Sequence, residues 1–487
     1  MGPSCMSSAS RSPVSSLIVA ILWIMLALVP MPVGSNRPFF WDVNAAWIGL
    51  LAFFHLGYLA SDPSRLRVSL SALRWPGLLM LAAMLFMVIQ VMPLPFELSP
   101  QIWTEAGAAL GMSLTRRISL DPAATIAMLV SYLAYALLFF MTAQVSVNPR
   151  RVQRLLQGLF WIIVAHAALG VLFLFQLGDS LFFLPKWTYH GFATGFFVNR
   201  NSFATFLAFG LAIGSALLAD AVVPKPRRQD QNRPAREIVR LDQIGIALGI
   251  YGAGLATIGS SLMLTGSRMG ALVGAIGLFA PAIFAATRLK RRLTFAGLIV
   301  GLILIVTLIF IMSGGALTER FASQEASQDA RWLLFKQTLE MIRHRPLTGF
   351  GGGAFEDAFA IYHHLPLNAD VVWDRAHNLY LELFADLGIF ALCPIISVGL
   401  VLWQTMRGLR HAENRVAPII AITVVVIAAV HSLVDFSLQI QAIELYFVVL
   451  LAAGFAQSTG SAETTAPMPR SEPVANPTAW QPVPPAR

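Results

Sequence analysis

Charge is what this sequence has least of. Asp, Glu, Lys and Arg make up 12% of its 487 residues, roughly half the share of an ordinary soluble chain, and that leaves too little polar surface to solvate several globular domains. Cysteine is nearly absent too. Cys5 lies near the start and Cys393 inside an apolar run, too far apart in expected depth to pair, so neither a disulfide framework nor a thiolate metal site is available. No repeat of fixed period is visible. A soluble multidomain enzyme, a coiled coil and a disordered scaffold are thereby excluded. Apolar sequence takes their place: 56% of the residues are hydrophobic and the mean hydropathy is +0.68, so lipid must be the solvent of most of the chain.

Apolar runs of the roughly 20 residues needed to cross a bilayer recur about twelve times. They fall at 15–33, 43–60, 75–92, 122–144, 155–176, 198–219, 243–265, 267–287, 294–314, 378–402, 417–436 and 439–456. The expected fold is all-α, a polytopic integral membrane protein with about twelve transmembrane helices and one long extracytoplasmic loop. Of the 34 basic residues, 22 sit in one set of alternate connections, and 6 of the remaining 12 lie in the long segment 315–376. Basic residues mark cytoplasmic connections and long loops escape that rule, so both termini are expected in the cytoplasm and 315–376 outside. The basic loop "PKPRRQDQNRPAREIVR" is then an orientation signal that also meets anionic lipid, and the +9 net charge gives no support to a nucleic-acid partner.

The chain divides into residues 1–314 with the first nine spans, the loop domain 315–376, residues 377–456 with the last three spans, and a tail, 457–487. The first span is expected to be retained, not cleaved as a signal peptide. The tail is rich in Pro, Ala, Ser and Thr and is expected to be a disordered cytoplasmic segment. In the loop domain, "DARWLLFKQTLEMIRHRP" aligns Trp332, Phe335, Leu339 and Ile342 on one stripe of an amphipathic helix, with Arg331, Lys336 and Arg343 able to lie at headgroup depth. That helix could pack on the membrane domain or grip a substrate. The run "TGFGGGAF" lacks the Lys-Ser/Thr ending of a phosphate loop and reads as a tight turn at Gly351, Gly352 and Gly353. His363, His364, Asp370 and Asp374 are metal-ligand types without the close repeated spacing of a metal motif.

Three residues stand out by position: Arg200 in "FFVNRNSFATF", Arg268 in "LTGSRMGAL" and His377 in "DRAHNLYLELFADLGIFAL". Each falls at the outer mouth of a span that runs inward, where unsatisfied backbone donors and the helix dipole favour an anion. Two of the three are cations. Taken singly, Arg200 could snorkel to an interface and His377 could be a satisfied interfacial histidine. Taken together, on one face and at one depth, they outline a pocket for something like a diphosphate.

The segment "AHNLYLELFADLGIFAL" resembles the His-Asn-x-x-Leu-x-x-x-x-x-x-Gly signature of the bacterial O-antigen ligase and O-antigen polymerase superfamily, with His377, Asn378, Leu381 and Gly388 in register. "FFVNRNSFATFLAFG" and "LTGSRMGALVGAIGLF" resemble the family's two arginine-bearing helix starts, and "MIRHRPLTGFGGGAFEDAF" its Gly-rich outer-loop segment. The resemblance covers roughly residues 190–455, and "SLDPAAT" (119–125) is a weak further echo. It implies a membrane glycosyltransferase, independent of metal, ATP and any other cofactor. Such an enzyme moves a glycan from undecaprenyl diphosphate to an acceptor hydroxyl on the periplasmic face of the inner membrane, lipid A-core for a ligase or a growing glycan for a polymerase. Arg200 and Arg268 would bind the diphosphate. His377 would be the general base of an inverting displacement, and Arg331, Arg375 and Asn378 are possible substrate contacts.

A second class of function stays open. His166, Glu382, Asp386, His431, Asp435 and Glu444 fall within apolar runs, where ionisable groups are functional candidates. Glu382 with Asp386, and His431 with Asp435, share a helix face at a spacing of four. A proton-coupled transporter or a flippase of a lipid-linked or anionic solute could use such pairs, whereas a transferase would use them as internal braces. Site residues gathered at one interface favour transfer; paired charges lining a path at mid-membrane favour transport.

Overall fold

The computed structural model describes residues 13–94, 99–222, 241–288, 317–368, 370–412 and 414–463. In chain order the helices are α1 (Pro13–Leu28), α2 (Pro38–Ala60), α3 (Leu70–Val91), α4 (Ile102–Leu110), α5 (Pro122–Ser146), α6 (Pro149–Phe175), α7 (Arg200–Val222), α8 (Leu241–Leu264), α9 (Arg268–Arg288), α10 (Leu317–His344), α11 (Phe355–Tyr362), α12 (Leu379–Leu387), α13 (Leu392–Gly408), α14 (Val416–His431) and α15 (Gln441–Glu463). Among the described residues the only sheet is the hairpin of β1 (Ser180–Leu181) and β2 (Leu184–Pro185). Nine helical segments among the described residues are long and apolar enough to cross a membrane, with α12 and α13 counted as one kinked span, Leu379–Gly408. α1 and α14 are apolar but shorter. The run expected at 294–314 lies outside the described residues, as does the expected tail from 464 on; residues 457–463, expected to begin that disordered tail, instead continue α15, where Gln457 and Ser458 are buried and bonded to Ser146 and Thr405.

Local sequence sets where these helices begin. Proline takes the first position of α2, α5 and α6, where its missing N–H costs nothing. Asp121 caps α5 by accepting from the amides of Ala123 and Ala124, and Asn148 caps α6 by accepting from Arg150 and Arg151. Such caps satisfy donors that lipid cannot.

At the centre of the bundle stands α7, whose apolar window is 89% buried. Lipid gives helices no hydrophobic reason to associate, so close backbone approach has to hold them. α7 presents Ala204, Ala208, Ala212 and Ala216 at a spacing of four, and α9 answers with Gly270, Gly274 and Gly277. A Cβ added at Gly277 would lie 2.6 Å from the carbonyl oxygen of Ala208. Around this pair pack α6, α8, α14 and α15.

One end of the bundle gathers the N-termini of α7, α9 and α12 with the loop domain; we refer to it as the site end. The arginines at 65, 67, 150, 151, 407, 410 and 415 flank helix ends at the other end. In the loop domain, α10 and α11 share a small core of Leu334, Met341, Phe350, Phe355, Phe359 and Leu367. The stripe expected from the sequence is not the one α10 buries. Leu334, Gln337, Thr338 and Met341 face inward, while Trp332 is 60% and Leu339 is 40% exposed. The tie between the Gln337 side chain and the His364 carbonyl at 2.7 Å explains the rotation, since it turns a polar residue toward the loop that α10 must hold.

The Gly-rich segment is a packing device. Phe350 and Gly351 donate to the carbonyls of Ala385 and Asp386, and Gly352 donates to the Gln90 side chain. Gly351 has φ +115° and lies against Ser119, where an added Cβ would be within 2.7 Å of its Cα. The segment thus threads between α12 and "SLDPAAT", a path closed to a residue with a side chain.

The α7–α9 contact yields a test. Gly277→Ala should destabilise the purified protein by about 1–3 kcal/mol through overpacking, read as a lower midpoint of thermal unfolding in lipid or detergent.

Candidate functional site

His377 sits at the join between the loop domain and α12, and its backbone is in the left-handed region, φ 52°. A non-glycine residue holds that conformation only when its surroundings impose it. They do so here through Asn378, whose side-chain oxygen caps α12 by accepting from the amides of Tyr380 and Leu381. Its side-chain nitrogen donates to the Leu433 carbonyl at 2.9 Å. Leu379 donates its amide to Ser432 and Tyr380 its hydroxyl to Ala429. The start of α12 is therefore bolted to the end of α14. Eleven positions after His377, Gly388 ends α12 with φ +55° and lies against the backbone of Leu347 and Thr348.

The imidazole of His377 packs edge-on against Phe436, ring centroids 5.0 Å apart, and near Trp373. Its Nδ1 is buried and has no hydrogen-bond partner among the described residues. Burial holds its pKa below the ordinary histidine value; Asp435 and Asp374 pull it back up, and Arg331 pushes it down. A neutral imidazole, the form that accepts a proton, is thus favoured. Arg331, near the middle of α10, also acts on Tyr189, so the loop-domain cation, the histidine and the segment before α7 share one field.

Arg200 is the first residue of α7. Its guanidinium lies over the Phe192 ring at 4.3 Å and near Tyr189 at 5.6 Å. A Cβ added at Gly266 would meet Phe192 and come within 3.3 Å of Arg200 Nη1. Gly266 belongs to the tight turn between α8 and α9, two residues before Arg268, which begins α9 and is exposed. Ser267 caps α9, its hydroxyl accepting from the amide of Gly270. Two helix starts, each opening on an arginine, therefore adjoin through one glycine.

Asp435 links the cations to the histidine. It is 1% exposed and its carboxylate accepts from the Asn201 side chain at 2.6 Å, the Phe436 amide and the Ser437 hydroxyl. Asn201 follows Arg200 and Phe436 packs on His377. The chain between α14 and α15 thus holds the first turn of α7 beside the imidazole.

The expected residues separate into two groups. Arg200, Arg268, His377 and Arg331 stand at the site end. Arg375 is engaged elsewhere, its guanidinium meeting Glu382 at 3.1 Å, and Glu382 also accepts from the Ala376 amide and the Gln439 side chain. Burial opposes the Arg375 charge, but Glu382 outweighs it and raises the pKa. Asn378 is likewise occupied by its cap. Asp386 accepts from the Gly353 amide and Glu444 from the Tyr135 hydroxyl. His364 contacts Gln337 and Glu340, and among the described residues no three His, Cys, Asp or Glu side chains could share a metal ion.

Sequence reasoning missed the aromatic cradle. Tyr189 and Phe192 are held by Lys186, which pairs with Asp179 and donates to the Phe192 carbonyl at 2.6 Å. The signal was present in "KWTYHGFATGFFVNR", a run of aromatic rings leading straight to an arginine.

The fold defines a multi-pass membrane protein in which two helix starts that open on an arginine adjoin a partly buried histidine. Residues 253–396 match the family model described as O-antigen ligase, which supports placing the chain in the O-antigen ligase superfamily. The match takes in Arg268 at the start of α9, the Gly-rich segment and the whole of α12 with His377. No curated protein matches the chain.

The ion pair between Arg375 and Glu382 can be tested by substitution. Glu382→Ala removes the carboxylate that pairs directly with the largely buried Arg375 and should cost about 3–5 kcal/mol, measured by thermal unfolding, whereas Arg375→Ala combined with Glu382→Ala should recover part of that loss.

Proposed function

We propose that the protein transfers a glycan from undecaprenyl diphosphate to an acceptor hydroxyl at the periplasmic face of the bacterial inner membrane, with lipid A-core as the acceptor. The observation that carries this reading is the Asn201–Asp435 hydrogen bond, which sets the Arg200 helix start beside His377. The O-antigen ligase match supports the same class of chemistry.

In this mechanism the diphosphate lies at the starts of α7 and α9, where Arg200, Arg268 and the helix dipoles face it. The acceptor oxygen attacks the anomeric carbon from the side opposite the diphosphate. The bond from that carbon to the diphosphate oxygen breaks, and its electron pair leaves with the diphosphate, whose growing charge the two arginines stabilise. His377 takes the proton of the attacking hydroxyl. One displacement inverts the anomeric centre and calls for no metal, because the leaving group is already activated. Burial, with a smaller contribution from Arg331, favours the neutral imidazole, and Arg375 and Asn378 position it through Glu382 and the α12 cap. The basic ends of the helices face the cytoplasm in this arrangement and the loop domain faces out.

The test is incubation of the protein in lipid with an undecaprenyl-diphosphate glycan, with and without lipid A-core, the products being separated by size. A single adduct that requires the core is expected, and both His377→Ala and Arg268→Ala should abolish it. A ladder formed from donor alone identifies a polymerase instead. Absence of both products with cognate donors, together with solute movement across the membrane, would overturn the transferase reading in favour of transport.

The pH dependence follows from the charges around His377. Activity should rise with pH through an apparent pKa below the ordinary histidine value of about 6.5, because only the neutral imidazole accepts the proton. Removing a cation that depresses this pKa must raise it, so Arg331→Gln should move the acidic limb of the kcat/KM profile to higher pH. A limb that stays in place excludes Arg331 from the field of the base.

A further inference from the structure

The chain between α6 and α7 carries a surface that the transfer reading does not use. β1 and β2 form a hairpin with Ser180 opposite Pro185 and Leu181 opposite Leu184, and its two-residue turn is Phe182–Phe183. Tight hairpin turns favour Gly, Asn or Asp, since the turn requires positive φ. Phe182 nevertheless has φ 58°. It rests on Phe173 and Phe196, whereas Phe183 is 84% exposed. Folding alone gives no reason to put a bare phenylalanine at such a tip.

The apolar surface around the tip is continuous with the lipid-facing side of a span. Phe175, the last residue of α6, is exposed, as are Leu177 on the way to β1, Leu184 on β2 and Trp187 just after it. Tryptophan beside phenylalanine at the end of a span is the composition of the boundary between hydrocarbon and headgroups. The base of the hairpin is polar and closed. Lys186 has a side chain 3% exposed, pairs with Asp179, and donates to the Phe192 carbonyl; Asp179 also accepts from the Gly191 amide at 2.7 Å. The apolar tip and the cradle around Arg200 are therefore two ends of one braced unit.

We propose that the hairpin is an interfacial anchor: Phe182 and Phe183 enter the hydrocarbon of the leaflet on the site side, and the Asp179–Lys186 brace transmits that depth to Tyr189 and Phe192 beside Arg200. The occupant of the surface is bilayer lipid, since the exposed rings extend a span that already faces it. The consequence for catalysis rests on the transferase reading. A diphosphate on a membrane-bound carrier lies at headgroup height, and the anchor sets the cradle at that height.

The experiment places a nitroxide label at Phe183→Cys, in a chain whose Cys5 and Cys393 are replaced by Ser, reconstituted into phosphatidylethanolamine and phosphatidylglycerol vesicles. Collision of the label with oxygen, which concentrates in hydrocarbon, is compared with collision with a water-soluble nickel chelate. Labels at Phe53→Cys on α2 and Val372→Cys in the loop domain, both at exposed positions, serve as the lipid and water references. The Phe183 label should follow the Phe53 reference. Following the Val372 reference overturns the anchor, and so does shielding from both reagents, which would mean that protein covers the tip. None of these readouts involves activity, so they decide the anchor even if transfer is never observed. The link to the cradle is decided separately: Phe182→Ser/Phe183→Ser should raise KM for the lipid-linked donor with little change in kcat, and an unchanged KM overturns the link.

Discussion

The carboxylate of Asp435 is the point on which the site depends. It lies between α14 and α15, is almost wholly buried, and accepts from the Asn201 side chain, the Phe436 amide and the Ser437 hydroxyl. A buried carboxylate in lipid is tolerable only when donors surround it, and those donors come from the segments that carry Arg200 and flank His377. Electrostatic necessity in the apolar interior thus becomes geometric precision at the surface. Asn378 reinforces the arrangement from the other side by capping α12 and bonding to Leu433.

Much of this was legible in the sequence because lipid imposes simple rules. Apolar runs located the described spans, since no other backbone arrangement satisfies its donors in hydrocarbon except a closed barrel. Arg200, Arg268 and His377 stood out because each opens a helix. What stayed hidden depends on contacts between distant parts of the chain. Nothing local told that Asp435 would reach Asn201, or that Gln439 would join Arg375 on Glu382. The α10 stripe was misjudged for a related reason: hydrophobic periodicity ranks Trp332 above Gln337, but the backbone at His364 offers a carbonyl and an amide that the Gln337 side chain takes up. The Tyr189–Phe192 cradle needed no long-range knowledge, only attention to aromatic rings preceding a cation.

The polar groups inside the bundle bear on the choice between transfer and transport. Glu382 is filled by Arg375, Gln439 and a backbone amide; Asp386 takes the amide of Gly353; Glu444 takes the Tyr135 hydroxyl. The Gly-rich segment, fixed to α12 at Phe350 and Gly351 and to α3 through Gln90, closes over the same region. In the proposed transferase Glu382 and Glu444, held in this way, would brace a wall, while Asp386 has one oxygen bonded to Gly353 and the other buried without a hydrogen-bond partner among the described residues. A solute path would instead need them turned toward a cavity that opens by turns to both sides.

A site of the proposed kind, assembled from helix starts, would need little added charge. The N-termini of α7, α9 and α12 each present partial positive charge in a region of low dielectric, where it acts more strongly than in water. Two arginines added to such ends can hold a doubly charged group without a dense basic cluster, which lipid would penalise. The same ends favour an anion at the start of α12, yet His377 occupies that place. There the dipole of α12 and the Arg331 charge both disfavour a protonated imidazole, as does burial. In the proposed reaction the features that attract the anion would also favour a neutral histidine, so that anion binding and proton acceptance would draw on one field.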